Sequence, residues 1–220
     1  LPTVRLAVRE LLRGLGPGDF VQMVQFNDRV SILEDFSARR DALEAAIDSF
    51  SSSGTTAVLN AVYRGLREIE SRARQERDES RRRAVVLLSD GVDSASLISE
   101  DAVLSEARRS RASLYSVGLG QNLSSRLAAG ARGARGAELL RELSRITGGR
   151  VIVPASFDEL QGAFSQVSEE LRRQYGFAYV SDNVRRDGKW RQIEVTVRNR
   201  PDLRVRHREG YYAGLYSSAR

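Results

Sequence analysis

A short run of apolar residues most constrains the fold of this chain. Residues 83–89 read Arg-Ala-Val-Val-Leu-Leu-Ser and are followed directly by Asp90-Gly91. Such a continuous apolar run, bounded by turn-forming residues, is typical of a strand that is buried on both faces of a parallel sheet. Parallel strands need crossover connections, which are usually helices, so we expect strands to alternate with helices along the chain.

The rest of the chain shows this alternation up to about residue 172. Period-2 or continuously apolar patterns predict strands at Asp19–Phe26, Val30–Leu33, Arg83–Ser89, Leu114–Gly118 and Val151–Val153. Apolar residues at helical spacing predict helices through Val4–Leu15, Leu43–Phe50, Val58–Ile69, Val103–Ala107, Leu139–Ile146 and Phe157–Leu171. The order predicts an α/β fold with a doubly wound, mostly parallel sheet flanked by helices.

The sequence changes character after residue 172. Alternating apolar residues predict three antiparallel strands at Tyr175–Val180, Trp190–Val197 and Leu203–Tyr212, joined by turns at Asp187-Gly188 and Asn199–Asp202. We therefore predict an α/β domain over residues 1–172 and a C-terminal β extension over residues 173–220. The Gly/Ala/Arg-rich stretch Gln121–Gly136 is predicted to be an exposed loop, and Gly148-Gly149 to end the preceding helix.

Composition excludes several classes of protein. The chain has no cysteine, which rules out disulfides, zinc–cysteine sites and thiol nucleophiles, and its single histidine, His207, excludes a multi-histidine metal site. The net charge of +6 comes almost entirely from arginines that are spread along the chain among acidic residues, so no nucleic-acid partner is predicted. The longest purely apolar run, Ala84–Leu88, is too short to span a membrane, and the chain shows no transmembrane segment.

Two features lie where ligands bind in doubly wound sheets, outside the carboxyl ends of the strands. Asp90 follows the most apolar strand, and Thr55 lies at a helix N-terminus after a Ser-rich loop. A carboxylate and a hydroxyl suit Mg²⁺. The alternative is structural, with Asp90-Gly91 as a tight turn and Thr55 as a helix cap. Asp93 is interpreted as a solvated turn residue, with approach to a cation as the alternative.

Three motifs follow one another along the chain: Asp19-Phe-Val-Gln-Met-Val-Gln-Phe-Asn-Asp28, Gly54-Thr-Thr-Ala-Val-Leu-Asn-Ala61 and Val85-Val-Leu-Leu-Ser-Asp-Gly91. In their order and spacing they resemble the motifs of a known family, the von Willebrand factor type A domain. Leu114–Gly118 and Leu139–Gly149 resemble later elements of that family, so the likeness covers residues 1–172. Gln174–Tyr179 and Arg208–Tyr212 resemble the extension of a bacterial subgroup described as acidobacterial-type VWFA-related.

This resemblance implies a Rossmann-like fold and a metal-ion-dependent adhesion site for Mg²⁺, or for Mn²⁺ or Ca²⁺. Thr55 matches the family's metal-binding threonine, and Asp90 matches its aspartate. The remaining ligands come from a D-x-S-x-S stretch after the family's first, central strand. Neither that stretch nor that strand is found in the 220 residues. We expect both just before Leu1, so the sequence is interpreted as N-terminally truncated and its metal site as incomplete.

The resemblance implies a non-enzymatic binding module of the adhesion type, in which the cation bridges to an Asp or Glu of a partner protein. A metal-independent scaffold or interaction domain is the alternative if the upstream D-x-S-x-S is degenerate. A third interpretation is an α/β hydrolase-type enzyme that uses Asp90 as nucleophile or base, although no base partner, phosphate loop or cofactor motif is visible. Because relatives of this kind are commonly exported, we expect an extracytoplasmic protein, secreted or periplasmic. Nothing in the sequence identifies the partner or the oligomeric state.

Overall fold

The computed structural model describes residues 2–51, 56–76, 81–89, 93–118, 134–200 and 202–214. Its helices are α1 (Pro2–Arg13), α2 (Arg40–Asp48), α3 (Val58–Glu76), α4 (Glu100–Arg109), α5 (Ala134–Thr147) and α6 (Leu160–Arg173). Its strands are β1 (Val21–Phe26), β2 (Val30–Ser37), β3 (Ala84–Ser89), β4 (Ser113–Gly118), β5 (Arg150–Ile152), β6 (Trp190–Gln192) and β7 (Gly210–Tyr212). Within these ranges, no helix combines the length and the apolar character needed to cross a membrane.

The centre of the molecule is a parallel sheet in the order β3-β4-β5. β3 and β4 pair in register along their whole length, from Ala84 opposite Ser113 to Ser89 opposite Gly118. β1 and β2 form a separate antiparallel hairpin. β2 ends at Ser37, four residues beyond the predicted end of that strand at Leu33. The parallel sheet predicted from the apolar run is therefore confirmed.

Helices cover both faces of this sheet. Because successive side chains of a strand point to opposite faces, Val86 and Leu88 of β3 pack into a core formed largely by α1, α2 and α6. Val85 and Leu87 pack into a second core, formed largely by α3, α4 and α5. The two cores confirm the doubly wound α/β fold and explain why this strand is apolar from Ala84 to Leu88.

The end of α5 shows why two glycines follow one another there. Gly148 has a φ of +79°, in the left-handed region that ends helices, and its N–H donates to the Arg145 carbonyl (3.1 Å). Gly149 lies against the start of β4, where a Cβ atom would overlap the Leu114 carbonyl oxygen. Thr147 Oγ1 accepts a hydrogen bond from the Leu114 N–H (2.9 Å). The predicted helix end is confirmed, and the glycines also allow α5 to pack closely against β4.

The predicted starts of α5 and α6 are wrong. α5 begins at Ala134, inside the predicted loop Gln121–Gly136, and the rest of that loop up to residue 133 lies outside the described residues. Arg135, in the first turn of α5, donates two hydrogen bonds to the Glu100 carboxylate of α4 (2.8 and 3.1 Å). This contact between helices is not visible in the local pattern. α6 begins at Leu160, so Phe157 lies before the helix.

The C-terminal region contains the predicted antiparallel β structure in a shorter form. β6 and β7 pair over three residues each, with Trp190 opposite Tyr212 and their rings edge to face at 5.0 Å. The ladder continues for a short distance at both ends. The Ile193 N–H donates to the Glu209 carbonyl (2.8 Å), and the Ala213 N–H donates to the Lys189 carbonyl (2.9 Å). The predicted strand Tyr175–Val180 has no ladder partner among the described residues. The predicted strand lengths are therefore wrong, because alternation alone does not supply a neighbouring strand.

Candidate functional site

Three loops meet at the carboxyl end of β3. The Thr56 N–H donates to Ser94 Oγ (3.1 Å), and the Thr56 carbonyl accepts from the N–H groups of Ser94 (2.9 Å) and Ala95 (3.2 Å). The Ala57 N–H donates to the carbonyl of Asn27, directly after β1 (2.8 Å). The loops after β1, before α3 and after β3 are thus joined at one edge of the sheet, where ligands bind in folds of this class.

The loop over residues 93–98 lies across the first turn of α3. Asn60 Oδ1 accepts from the N–H groups of Leu97 and Ile98 (3.1 Å each), and the Asn60 N–H donates to Ser96 Oγ (3.1 Å). The first N–H groups of a helix have no partner within the helix. Here the side chain of Ser96 and that of Asp93 supply those partners. No local signal around Asn60 predicts this role.

Asp93 has a defined structural role in this loop. One carboxylate oxygen, Oδ1, accepts from Ser96 Oγ (2.6 Å) and from the Leu59 N–H of α3 (3.3 Å). Although the residue is exposed, two hydrogen bonds fix its orientation. The interpretation of Asp93 as a solvated turn residue is therefore incomplete, because its side chain connects the loop to the helix.

The predicted metal ligands Thr55 and Asp90 lie outside the described residues. Their immediate neighbours are described. Thr56 follows Thr55 and is hydrogen-bonded to the loop after β3, and Ser89, which precedes Asp90, is buried at the end of β3. The segments that carry the two ligands therefore start from the same edge of the sheet.

The oxygen atoms described at this edge form a framework, not a set of metal ligands. Within the described ranges, no three Asp, Glu or His side chains cluster in a way that would hold a metal ion. Asp93 and Ser96 bond to each other, and Ser94 Oγ accepts from Thr56. Hydroxyl and carboxylate oxygens are the donors that Mg²⁺ and Ca²⁺ prefer, and both types are present at this edge.

A large cleft lies between β1 and β3. Its volume is about 1290 Å³, and every residue of both strands lines it. Apolar side chains of α1, α3 and α6, among them Val8, Val62 and Phe164, form its walls. Within the described residues, β1 pairs only with β2, and β3 pairs only with β4. Each of these strands therefore has one edge without a ladder partner.

Comparison with known proteins supports the family resemblance. The family model for the von Willebrand factor type A domain matches residues 1–166. Inter-alpha-trypsin inhibitor heavy chain H1 from Sus scrofa is 27% identical over 188 residues, which cover 81% of this chain and 20% of that protein. The chain thus spans about a fifth of the length of this curated relative.

Solved structures show the same fold. A von Willebrand factor type A protein from Catenulispora acidiphila has a TM-score of 0.60 at 14% identity, covering 77% of this chain and 37% of that one. The conserved hypothetical protein BatB from Bacteroides thetaiotaomicron has a TM-score of 0.57 at 16% identity, covering 78% and 87% of the two chains. At such identities the likeness shows the fold alone.

Domains of this kind are often involved in protein–protein interaction and adhesion, and they are generally non-enzymatic interaction modules that commonly bind a divalent metal ion. The resemblance inferred from the sequence motifs is confirmed by the family match over about three quarters of the chain. The fold, a parallel sheet with helices packed on both of its faces, agrees with that match. This chain belongs to the von Willebrand factor type A domain family.

Proposed function

We propose that this domain binds an acidic group of a partner protein through a divalent cation held at the carboxyl end of β3. The observation that carries the proposal is the pair of loops joined by Thr56 and Ser94, because these loops adjoin Thr55 and Asp90. Mg²⁺ is the cation we favour, with Mn²⁺ or Ca²⁺ as substitutes, since all three take oxygen ligands.

Each proposed ligand has a separate role. The Asp90 carboxylate balances part of the charge of the cation, and the Thr55 hydroxyl supplies a neutral oxygen. The bound cation would supply an open coordination position for an Asp or Glu of the partner. Asp93 and Ser96 orient the loop by bonding to each other and to α3.

The remaining ligands of the proposed site require another segment. The cleft between β1 and β3 offers two unpaired strand edges between apolar walls, which suits an extended strand covered by helices on both faces. We propose that a strand encoded upstream of Leu1 occupies this cleft, parallel to β3. The D-x-S-x-S expected at its end would then lie at the same edge as Thr55 and Asp90.

A metal-independent interaction domain is the second candidate function. It is favoured by the completeness of the loop framework, in which Asp93, Ser94 and Ser96 all have partners within the protein. Loops held in this way present a fixed surface without a metal ion. The two candidates differ in whether the partner binds after the metal is removed.

Calorimetric titration of the full-length protein with Mg²⁺ and Mn²⁺, together with thermal unfolding, tests the proposal. The protein should bind the metal and be stabilised by it, since a ligand that binds only the folded state raises stability. Asp90→Ala should abolish both effects. Glu169→Ala, which removes an exposed carboxylate of α6, is the control and should retain them. Absence of metal-linked stabilisation, or equal binding by Asp90→Ala, would leave the metal-independent function.

We also propose an extracytoplasmic location, secreted or periplasmic, because adhesion through a metal operates where Mg²⁺ and Ca²⁺ are abundant. Fractionation of cells that express the full-length protein tests this location. Recovery in the cytoplasmic fraction alone would contradict it.

A further inference from the structure

The positive charge of the chain is concentrated in its C-terminal part. Residues 172–220 carry 12 basic and 5 acidic side chains, whereas residues 1–171 carry 23 and 24. Arginines occur throughout the sequence, but basic residues outnumber acidic residues only in the last 49 residues. Electrostatic attraction of an acidic partner would therefore act on this region and not on the α/β domain.

An aromatic segment, defined as residues 175–180, is exposed in the same region. Tyr175 is 87% exposed, Phe177 85% and Val180 93%. The rings of Tyr175 and Phe177 lie nearly parallel, with centroids 6.3 Å apart, so alternate side chains face the same side. Contiguous exposed apolar side chains of this kind mark interaction sites in soluble proteins.

Contacts fix the aromatic segment at both ends. At its start, Arg82 Nη1 donates to the carbonyls of Arg172 (3.0 Å) and Gln174 (3.2 Å), and Gln174 Nε2 donates to Tyr115 Oη (2.9 Å). At its end, the Tyr179 ring meets the Tyr211 ring of β7 edge to face at 6.3 Å. A partner would therefore bind a segment whose conformation is already restricted, which lowers the conformational entropy lost on binding.

The aromatic segment has no partner strand among the described residues. Within the described part of the chain, no backbone hydrogen bond joins residues 175–180 to another backbone group. Unpaired N–H and C=O groups of an extended segment are a template for an added strand. The same groups would be costly to bury in the hydrocarbon of a membrane, where nothing would satisfy them. The open backbone therefore favours a peptide over a lipid surface.

Arginines flank the aromatic segment on both sides. Arg172 and Arg173 precede it and Arg185 and Arg186 follow it; all four side chains are exposed, and none forms an ion pair with a described acidic residue. Acidic side chains of an added strand would lie between these two pairs. A second copy of this chain would instead bring another surface of positive charge, which opposes self-association through this region.

We propose that the aromatic segment binds an extended, acidic segment of a partner protein by strand addition. Main-chain hydrogen bonds would supply affinity, Tyr175 and Phe177 would contact alternate side chains, and the flanking arginines would select Asp and Glu. This surface begins beside Arg82, which precedes β3, whereas the loops of the proposed metal site lie at the opposite end of that strand. The proposal therefore does not depend on a metal.

Fluorescence anisotropy with the full-length protein tests this proposal. The probe is a short fluorescein-labelled peptide that alternates Glu with Val and Tyr, and a chelator is present so that the metal site plays no part. The peptide should bind, and added salt should weaken it. Phe177→Ser should weaken binding roughly tenfold, the size expected for loss of one buried aromatic contact. Phe157→Ser, at a half-exposed position in the α/β domain, should have no effect.

Further arms separate the proposal from its alternatives. The double variant Arg185→Glu/Arg186→Glu should weaken binding, whereas Arg29→Glu/Arg141→Glu, at two exposed arginines of the α/β domain, should not. A peptide of equal charge with interspersed prolines cannot pair as a strand and should bind poorly. Equal binding of that peptide, binding only of phosphatidylserine vesicles or oligothymidylate, self-association through Phe177, or no binding of any probe would each overturn the proposal.

Discussion

Thr56 and Ser94 exchange hydrogen bonds in both directions. The Thr56 N–H donates to Ser94 Oγ at 3.1 Å, and the Ser94 N–H donates to the Thr56 carbonyl at 2.9 Å. The first bond depends on a side chain and the second on backbone alone. A substitution of Ser94 therefore tests how much the side-chain hydrogen bond, as opposed to the backbone hydrogen bond, contributes to holding the two loops together.

Ser94→Ala should lower the free energy of unfolding by about 1 kcal/mol, because one hydrogen bond is lost while the backbone bond remains. It should also weaken metal binding in the full-length protein, because the loops next to Thr55 and Asp90 become less ordered. Urea denaturation and calorimetric titration measure the two effects. Ser94→Thr keeps the hydroxyl and should behave like the unchanged protein. Equal losses in both variants would show that the hydroxyl is not what matters.

Thr55→Ala should strongly weaken Mg²⁺ binding in the full-length protein, because it removes a hydroxyl ligand from the proposed site. Thr55→Ser keeps that hydroxyl and should retain binding. Thermal unfolding without metal is measured beside the titration and should change little, because Asp93 and Ser96 already accept hydrogen bonds from the first N–H groups of α3. Metal binding that is equal in the Ala and Ser variants would exclude Thr55 as a ligand.

Extending the chain upstream of Leu1 by about 20 residues, enough for one strand and a loop, should raise the melting temperature and suppress aggregation. The reason is the cleft between β1 and β3, where two strand edges lack ladder partners and such edges promote association. The control is the same extension with prolines in the added strand, which should lose the gain. Equal melting temperatures with and without the extension would contradict the proposed strand.

Gly149→Ala should destabilise the protein by about 2 kcal/mol or more, because the new Cβ would overlap the Leu114 carbonyl and force α5 away from β4. Gly162 offers a matched control in α6, where a Cβ atom would meet nothing within 4 Å. Gly162→Ala should stabilise the protein by about 0.8 kcal/mol through helix propensity alone. Chemical denaturation of both variants measures these opposite signs, and a mild effect at Gly149 would contradict the packing described for β4.

Tyr115→Phe should change how stability depends on alkaline pH. Burial raises the pKa of the Tyr115 hydroxyl, and the Glu170 carboxylate acts in the same direction. The folded protein therefore keeps this proton over a pH range in which the unfolded chain has lost it, so stability falls as the pH rises above about 10. Denaturation curves from about pH 9 to 11 should show a shallower fall for Tyr115→Phe. Tyr175→Phe, at an exposed position, should keep the original slope.

The sequence predicted those parts of the fold that depend on local pattern. β3 was identifiable because its side chains from Ala84 to Leu88 alternate between two cores, and the end of α5 because a glycine, Gly148, occupies the position with a positive φ. The length of β2 was not predictable in the same way. Its later residues Glu34 and Asp35 are polar and do not resemble a strand, and their position is fixed by pairing with β1.

The hydrogen bonds that hold the loops of the candidate site together could not be predicted from local sequence pattern, for a related reason. Asn60 and Asp93 are separated by more than 30 residues, and each acts by bonding to the other's segment. Nothing in the residues around either one predicts that the loop after β3 crosses the first turn of α3. The proposed ligands Thr55 and Asp90 were chosen from the motifs, whereas the hydrogen bonds that hold the loops together follow from tertiary packing.

The position of Arg82 has a consequence for how this domain connects two partners. Arg82, two residues before β3, holds the start of the aromatic segment, and the Thr56–Ser94 loops lie beyond the last residue of that strand. Six residues of strand separate these points by roughly 20 Å. A partner at each end would not compete with the other for surface. The domain would then act as a rigid spacer, and a protein that engaged both ends at once would gain avidity from the higher effective concentration at the second site.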